Sequence, residues 1–287
     1  MVALTINTNM PSLNSQRVLE LSRSQLGQSI TRLASGVKIS GASDGAAELA
    51  LSEAIRSDVR ALQQGSRNLS DGLSLIRTAE AALNDLSGTF IRLRELASLA
   101  ANGTVGATER QTIDLEYQNL LAELDRISAS TEFRDTVLLD GTLADSAAEH
   151  LVLQVGVDSS ADNQIDLNES IDLTEVSRSS LNLTGSSVTS QSGAFLALND
   201  LTAAINTLIE VRTRAGSTQI RLTSALNNLN AQVENLTGAV STIRDADMAE
   251  ELAALTKNQI LVQAGAAMIG QANLIPQSVL TLFEGVQ

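Results

Sequence analysis

Cysteine and tryptophan are absent from the 287 residues, and histidine occurs once, at His150. Without cysteine there are no disulfides, thiolate metal sites or cysteine nucleophiles, and this says nothing about compartment. One histidine cannot build a two-histidine zinc site or an HExxH motif. Aromatic residues make up 2% of the chain, too few for base-stacking platforms or most aromatic-lined ligand pockets. Basic residues are also scarce: 19 Lys and Arg face 33 Asp and Glu, a formal net charge of −14. Such a surface repels phosphate, so nucleic acid is excluded as a partner.

Proline is confined to Pro11 and Pro276, one near each end, so nothing from Ser12 to Ile275 forces a helix to break. Charge is missing from the same ends. No charged side chain precedes Arg17, and none lies between Lys257 and Glu284. The start, Met1 to Asn9, has neither a basic segment nor a long apolar one, so no Sec signal peptide is expected. Asn258 to Phe283 is uncharged but interrupted by Gln259, Gln263, Gln271, Asn273, Pro276 and Gln277, so membrane insertion is not expected either. Uncharged ends rich in Leu, Ile, Ala, Gln and Asn read as loosely docked tails or as surfaces buried against other copies of the chain. Helical spacing at both ends favours the second reading.

What the sequence does have is 43% apolar residues in heptad order. Leu226, Leu229, Val233, Leu236, Val240 and Ile243 step by three and four, the spacing of a coiled-coil seam. Ile113, Tyr117, Leu120, Leu124 and Ile127 do the same, as do Leu69, Leu73, Ile76, Ala79, Leu83, Leu86, Phe90 and Leu93 with one slip. Beyond Asp247 the rhythm resumes through Met248, Leu252, Leu255, Gln259, Val262, Ala266 and Ile269, with Gln259 as a polar, register-setting member. Asn102-Gly103 predicts a turn, and Thr108 with Gln111 a capping box opening the next helix. A helix from about Ala46 to Ala100 would extend roughly 80 Å, a rod rather than a globule.

The middle differs. Eleven acidic residues lie between Glu132 and Glu175 against one basic residue, Arg134. The spacing is not that of an EF-hand, and a solvated surface is the expected reading. Thr136 to Gly141 and Leu151 to Gly156 are short β-prone runs ending at glycine, and Thr174 to Ser192 is crowded with Ser and Thr. His150 reads as an exposed loop residue. Asp245 and Asp247 read as helix-start polarity rather than an acid–base or metal pair, since nothing completes a site.

Specific blocks point to a family. Ile6-Asn7-Thr8-Asn9, Ser12-Leu13-Asn14, Arg32-Leu33-Ala34-Ser35-Gly36, Arg67-Asn68, Asp71-Gly72, Thr78-Ala79-Glu80, Arg94-Glu95-Leu96-Ala97 and Ala101-Asn102-Gly103-Thr104 resemble the N-terminal region of bacterial flagellin. Ile243-Arg244-Asp245-Ala246-Asp247-Met248-Ala249-Glu250, Leu255 to Leu261, Gln263-Ala264-Gly265 and Gln271-Ala272-Asn273 resemble its C-terminal region. The blocks span roughly 1–140 and 195–287, and the chain looks like a minimal flagellin without a large outer domain. Ser40 to Glu48 departs from the usual lysine-containing, double-aspartate pattern at the inner-domain bend.

The resemblance implies a mainly α fold: long coiled-coil helical rods, paired N- and C-terminal helices and a small β-hairpin region. The expected divisions are 1–42, the N-terminal half of the terminal-helix domain; 43–195, rod helices and β-region; 196–245, the C-terminal rod helix; and 246–287, the C-terminal half of the terminal-helix domain. It implies a structural subunit, not an enzyme and with no cofactor or metal. Such a subunit polymerises into the flagellar filament for motility, leaves the cell unfolded through the flagellar type III system and resides extracellularly. The ends would pair inside the filament and be disordered in the free monomer. Implied partners are other copies of itself, the export chaperone and apparatus, and hook-associated and cap proteins. The family surface recognised by Toll-like receptor 5 falls on Arg92, Leu96 and Glu116, which are ordinary helix-surface residues on the plainer reading. Related flagellins carry O-linked sugars on outer Ser/Thr-rich segments, here Ser179, Ser180, Thr184, Ser186 and Thr189, and an unmodified polar loop is the alternative. A hook–filament junction protein of the same superfamily is the competing function. An enzyme in the middle, such as the zinc protease insert that some flagellins carry, is not expected, given the single histidine and the short middle.

Overall fold

In a computed structural model, residues 8–284 are described, so Ile6-Asn7 of the N-terminal block lies outside them. The described residues hold six α-helices and four short strands: α1 (Met10–Ser35), α2 (Ala46–Ala101), α3 (Ala107–Ser130), β1 (Glu132–Phe133), β2 (Thr136–Val137), β3 (Val152–Gln154), β4 (Gln164–Asp166), α4 (Leu167–Ile171), α5 (Gln191–Arg244) and α6 (Met248–Glu284). The mainly α class is as the heptads required. The chain separates into two compact units, Met1–Ser57 with Leu236–Gln287, and Asp58–Asn235.

The second unit is built on apolar stripes. All eight residues of the Leu69–Leu93 heptad run are buried, and the stripe continues through Leu96, Ala97 and Ala100. On α3 the buried positions are Tyr117, Leu121, Leu124 and Ser128, so Leu121 replaces the expected Leu120. The true helical period of 3.6 residues drifts ahead of a strict heptad and brings the neighbouring leucine inward. On α5 the stripe begins far upstream of the predicted seam: Ala194, Ala197, Leu201, Ala204, Leu208, Val211, Ala215, Thr218 and Leu222 are all buried, stepping by three and four. Alanine at four of these places hides the pattern from a reading that looks for leucine. One 18-residue window of α5, of mean hydropathy 1.3, is long and apolar enough to cross a bilayer, and a third of it is buried in the fold.

The α2–α3 turn falls at Asn102-Gly103 as expected, but α3 opens earlier than Thr108. Gly106 is the N-cap residue, and the Glu109 carboxylate accepts its backbone N–H. An acid at the third helical position both fills that donor and opposes the helix dipole, which Gln111 could not do.

The β-prone runs form two separate antiparallel hairpins, β1–β2 and β3–β4. The β1–β2 turn places Arg134 and Asp135 at φ 46° and 67° without a glycine. Arg134 offsets that strain by a bidentate pair with Asp71 of α2 at 2.9 and 3.0 Å and by lying over the Phe133 ring. The β3–β4 hairpin lies on a strip of α2 formed by Gly65, Asn68 and Gly72. Asn68 Nδ2 donates to Gln154 O at 2.8 Å, and a side chain at Gly65 would sit 2.4 Å from Val155 O. Beside it, fully buried Asn168 ties the loops together. Its Nδ2 donates to Thr142 O and Ala144 O, and its Oδ1 accepts from Leu151 N.

The Ser/Thr-rich segment is fastened to α3 rather than hanging as a loop. Asp125 accepts from Arg178 N and Asp114 from Val188 N, while Leu181, Leu183 and Val188 are buried. His150 is a partnered residue: its Nδ1 lies 2.6 Å from Asp166 Oδ2. That bond raises the imidazole pKa above its ordinary value, with smaller help from Asp145.

Candidate functional site

The first unit holds the charge-free ends. Asn9 caps α1 by accepting from Ser12 N, Pro11 follows in its first turn, and Gly36 at φ 72° closes it with a bond to Arg32 O. Helix α6 starts at Asp247, whose Oδ1 accepts from Ala249 N and Glu250 N, the helix-start role expected of it. Between the helix ends the backbones clasp: Lys38 N donates to Arg244 O at 2.7 Å and Ala246 N to Gly36 O at 3.0 Å. Asp245 sits in that clasp, bridged to Val37. In the divergent bend the Asp44 carboxylate accepts from Ser40 Oγ and from the backbone of Ser40 and Gly41. These bonds hold its pKa below the usual value, the Ser40 hydroxyl most of all.

Helices α1 and α6 run antiparallel. Ser12 Oγ donates to Asn273 Oδ1 at 2.9 Å, Asn9 Nδ2 to Ala272 O at 2.8 Å, and Arg32 pairs with Glu251 at 3.3 Å near the other end. The inward face of α1 is Ser12, Ser15, Leu19, Ser22, Leu26, Ser29 and Leu33, stepping strictly by three and four. Serine at four of these seven steps hides the seam from a search for apolar periodicity. Small serine layers let the helices approach closely, and Ser22 spends its hydroxyl on its own Val18 O.

On α6 the covered positions are Glu251, Leu255, Asn258, Val262, Gly265, Ile269 and Ala272. Leu255, Val262 and Ile269 belong to the heptad run read beyond Asp247. Met248, Leu252 and Gln259 lie instead on the exposed side. Gly265 sits in the inward row with Leu255, Val262 and Ile269, and a side chain there would meet Leu19 at 3.3 Å, so this row, and not the one through Met248, Leu252 and Gln259, admits the close approach of α1. In the Leu226–Ile243 seam Leu229 is buried, and Leu226, Val233, Leu236, Val240 and Ile243 are half-covered.

The open sides are strongly apolar. Met10 is 62% exposed, Leu21 57%, Ile260 59% and Met268 60%, with Leu13, Val18, Ile30, Leu261 and Leu274 also exposed. A two-helix pair covers one stripe per helix, and here each helix carries a second. Exposed apolar residues in this number on one helix pair mark an interaction face.

Of the three receptor candidates the structure joins two. Arg92 bonds Glu116 at 2.7 and 2.9 Å and Glu95 at 3.1 Å, all exposed. Leu96 is 3% exposed and belongs to the core stripe. Of the sugar candidates, Ser179, Ser180, Thr184 and Thr189 are exposed, whereas Ser186 is half-buried with its hydroxyl 2.8 Å from Tyr117 Oη. Among the described residues no three His, Asp or Glu side chains converge as a metal site.

Comparison with known proteins follows the same division into ends. The family model for the bacterial flagellin N-terminal helical region matches residues 6–144, and that for the bacterial flagellin C-terminal helical region matches residues 198–283. A flagellin of Halalkalibacterium halodurans is 37% identical over 279 residues, covering 97% of this chain and 99% of the relative. A flagellin of Bacillus subtilis is 38% identical over 305 residues, with the same coverage of each. A flagellar filament 31.3 kDa core protein of Treponema maltophilum is 34% identical over 286 residues, covering 98% of this chain and all of the relative. Among solved structures, a Bacillus cereus flagellin is 33% identical, covers 61% of this chain and 94% of its own, and gives a TM-score of 0.47.

Proposed function

This chain belongs to the bacterial flagellin family, and from that premise we propose that it is a structural subunit that polymerises into the flagellar filament. It is not an enzyme. The observation that carries the reading is the second apolar stripe on α1 and α6, uncovered in one chain and, before Arg17 and from Asn258 to Phe283, without a charged side chain in sequence. Copies stacked head to tail in a helical array that does not close would bury those stripes and leave no terminal subunit satisfied. The half-covered Val233–Ile243 stretch of α5, with Met248, Leu252 and Gln259, supplies further surface for the same contacts.

The finer parts of the proposal rest on the family. The chain leaves the cell unfolded through the flagellar type III system, guarded by an export chaperone, and ends in the extracellular filament beside hook-associated and cap proteins. Its terminal helices line the filament channel, so 1–42 with 246–287 act as one assembly module, and 43–195 with 196–245 as the outer rods. Arg92 and Glu116 form the receptor-facing patch, with Leu96 contributing by holding their helix in place. Exposed Ser179, Ser180, Thr184 and Thr189 are the sugar acceptors, ahead of Ser186.

Polymerisation tests the reading. Purified chain mixed with short filament seeds or a precipitating salt should grow long filaments visible by negative-stain electron microscopy, and a variant lacking residues from Ile260 onward should grow none. A full-length chain that stays monomeric, or only occupies seed ends, would overturn it in favour of the junction protein.

A further inference from the structure

The α2–α3 turn carries the single Asn-Gly dipeptide of the sequence, Asn102-Gly103, and its geometry gives that dipeptide a chemistry. Asn102 is exposed. Its Oδ1 accepts from Thr104 N at 3.2 Å, which turns the side chain toward the backbone that follows it. The Thr104 N–H polarises the amide carbonyl and remains in place to receive the negative charge that an attack on Cγ develops on Oδ1. Among the described residues neither Gly103 N–H nor Asn102 Nδ2 is hydrogen-bonded, so the nucleophile and the leaving group are both free. The surrounding backbone, by contrast, is held. Asn102 N donates to Leu99 O, Val105 N to Asn102 O, and Arg110 Nη2 to Asn102 O at 3.0 Å.

We propose that Asn102 is a site of spontaneous deamidation in the folded chain. Gly103 N loses its proton to base and forms a bond to Asn102 Cγ. The Cγ–Nδ2 bond breaks, and ammonia leaves with the proton, giving a five-membered succinimide. Water then opens either carbonyl, giving aspartate or isoaspartate. No oxidant or reductant enters, and water is the only co-reactant. Either product adds a negative charge to the turn. Isoaspartate also adds a main-chain atom at the point where Arg110 and Val105 bond the Asn102 carbonyl, so it loosens the α2–α3 connection.

The other asparagines show why this one is distinctive. Asn84 lies within α2, where the following amide is held by the helix, and its Oδ1 faces Arg212. Tryptic cleavage isolates both residues cleanly: peptide 78–92 contains Asn84 and peptide 95–110 contains Asn102, each as its sole side-chain amide.

The full chain would be held at physiological temperature and mildly alkaline pH beside a free synthetic 95–110 peptide, then digested and weighed, with isoaspartate quantified chemically. The expected result is a gain of about 1 Da on peptide 95–110, within roughly threefold of the free-peptide rate, while 78–92 is unchanged. Gly103→Ala should slow conversion about tenfold, because a side chain there hinders approach of the nitrogen to Cγ. That variant keeps the fold: its Cβ would meet only Gln191 Nε2, at an ordinary 3.6 Å. Protection of the folded chain by tenfold or more relative to the free peptide, equal conversion of Asn84, or an unchanged rate in Gly103→Ala would each overturn the proposal.

Discussion

Gly65 of α2 gives the sharpest test of how the β3–β4 hairpin is seated. A mid-helix glycine costs about 1 kcal/mol relative to alanine, so on propensity alone Gly65→Ala should stabilise the chain by that amount. The structure reverses the sign. The new Cβ would lie 2.4 Å from Val155 O and 2.9 Å from its carbonyl carbon, where ordinary contact begins near 3.4 Å. Backbone cannot swing aside as a side chain does, so the hairpin must retreat by about 1 Å, an overpacking cost of about 1–3 kcal/mol. The Asn68–Gln154 bond at 2.8 Å is stretched with it, costing about 1 kcal/mol more. The net expectation is a destabilisation of about 1–3 kcal/mol. Gly72→Ala is the matched control. Its Cβ would meet Leu153 Cδ1, also at 2.4 Å, but that methyl can rotate away and the net change should stay within about 1 kcal/mol of zero. Urea unfolding followed by circular dichroism measures both, and amide exchange over 152–154 locates the effect. A Gly65→Ala chain more stable than the parent by about 1 kcal/mol would refute the close seating of hairpin on helix.

Asn168→Ala should destabilise the chain by about 2–4 kcal/mol in the same assay, because it leaves the Thr142 and Ala144 carbonyls and the Leu151 N–H without the side chain that bonds them. His150, as the single histidine, gives an unambiguous NMR titration, and its midpoint should lie above the ordinary histidine value and fall in Asp166→Asn, which keeps the α4 cap. Because folding favours protonated His150, the stabilisation from this pair is full below the ordinary histidine pKa and fades as pH rises through the elevated folded value. A midpoint that Asp166→Asn leaves unmoved would show that the pair does not form in solution.

The sequence by itself determined the helices and their partners in outline. Heptads at 69–93 and 226–243, two terminal prolines and charge-free ends required long α-helices with uncovered faces, and the motif blocks at both ends supplied the family. Those signals are local: period, proline and charge act on a segment wherever it goes. Other features depended on what each segment meets. The α1 seam of serine and leucine, the alanine-rich half of the α5 stripe, and the inward turn of the Gly265 row, rather than the Met248 and Leu252 side, are all decided by how close the partner helix comes. Small residues give no hydrophobic signal of their own, and their role is visible only in the approach they permit. The same holds for Gly65 and Asn168, whose neighbours lie about 90 and 26 residues away in sequence. Burial of Leu96 and the anchoring of Ser186 to Tyr117 were likewise set by packing. The helical plan of the filament subunit was therefore written in periodicity, whereas the register of its helices and the seating of its loops belong to tertiary contact.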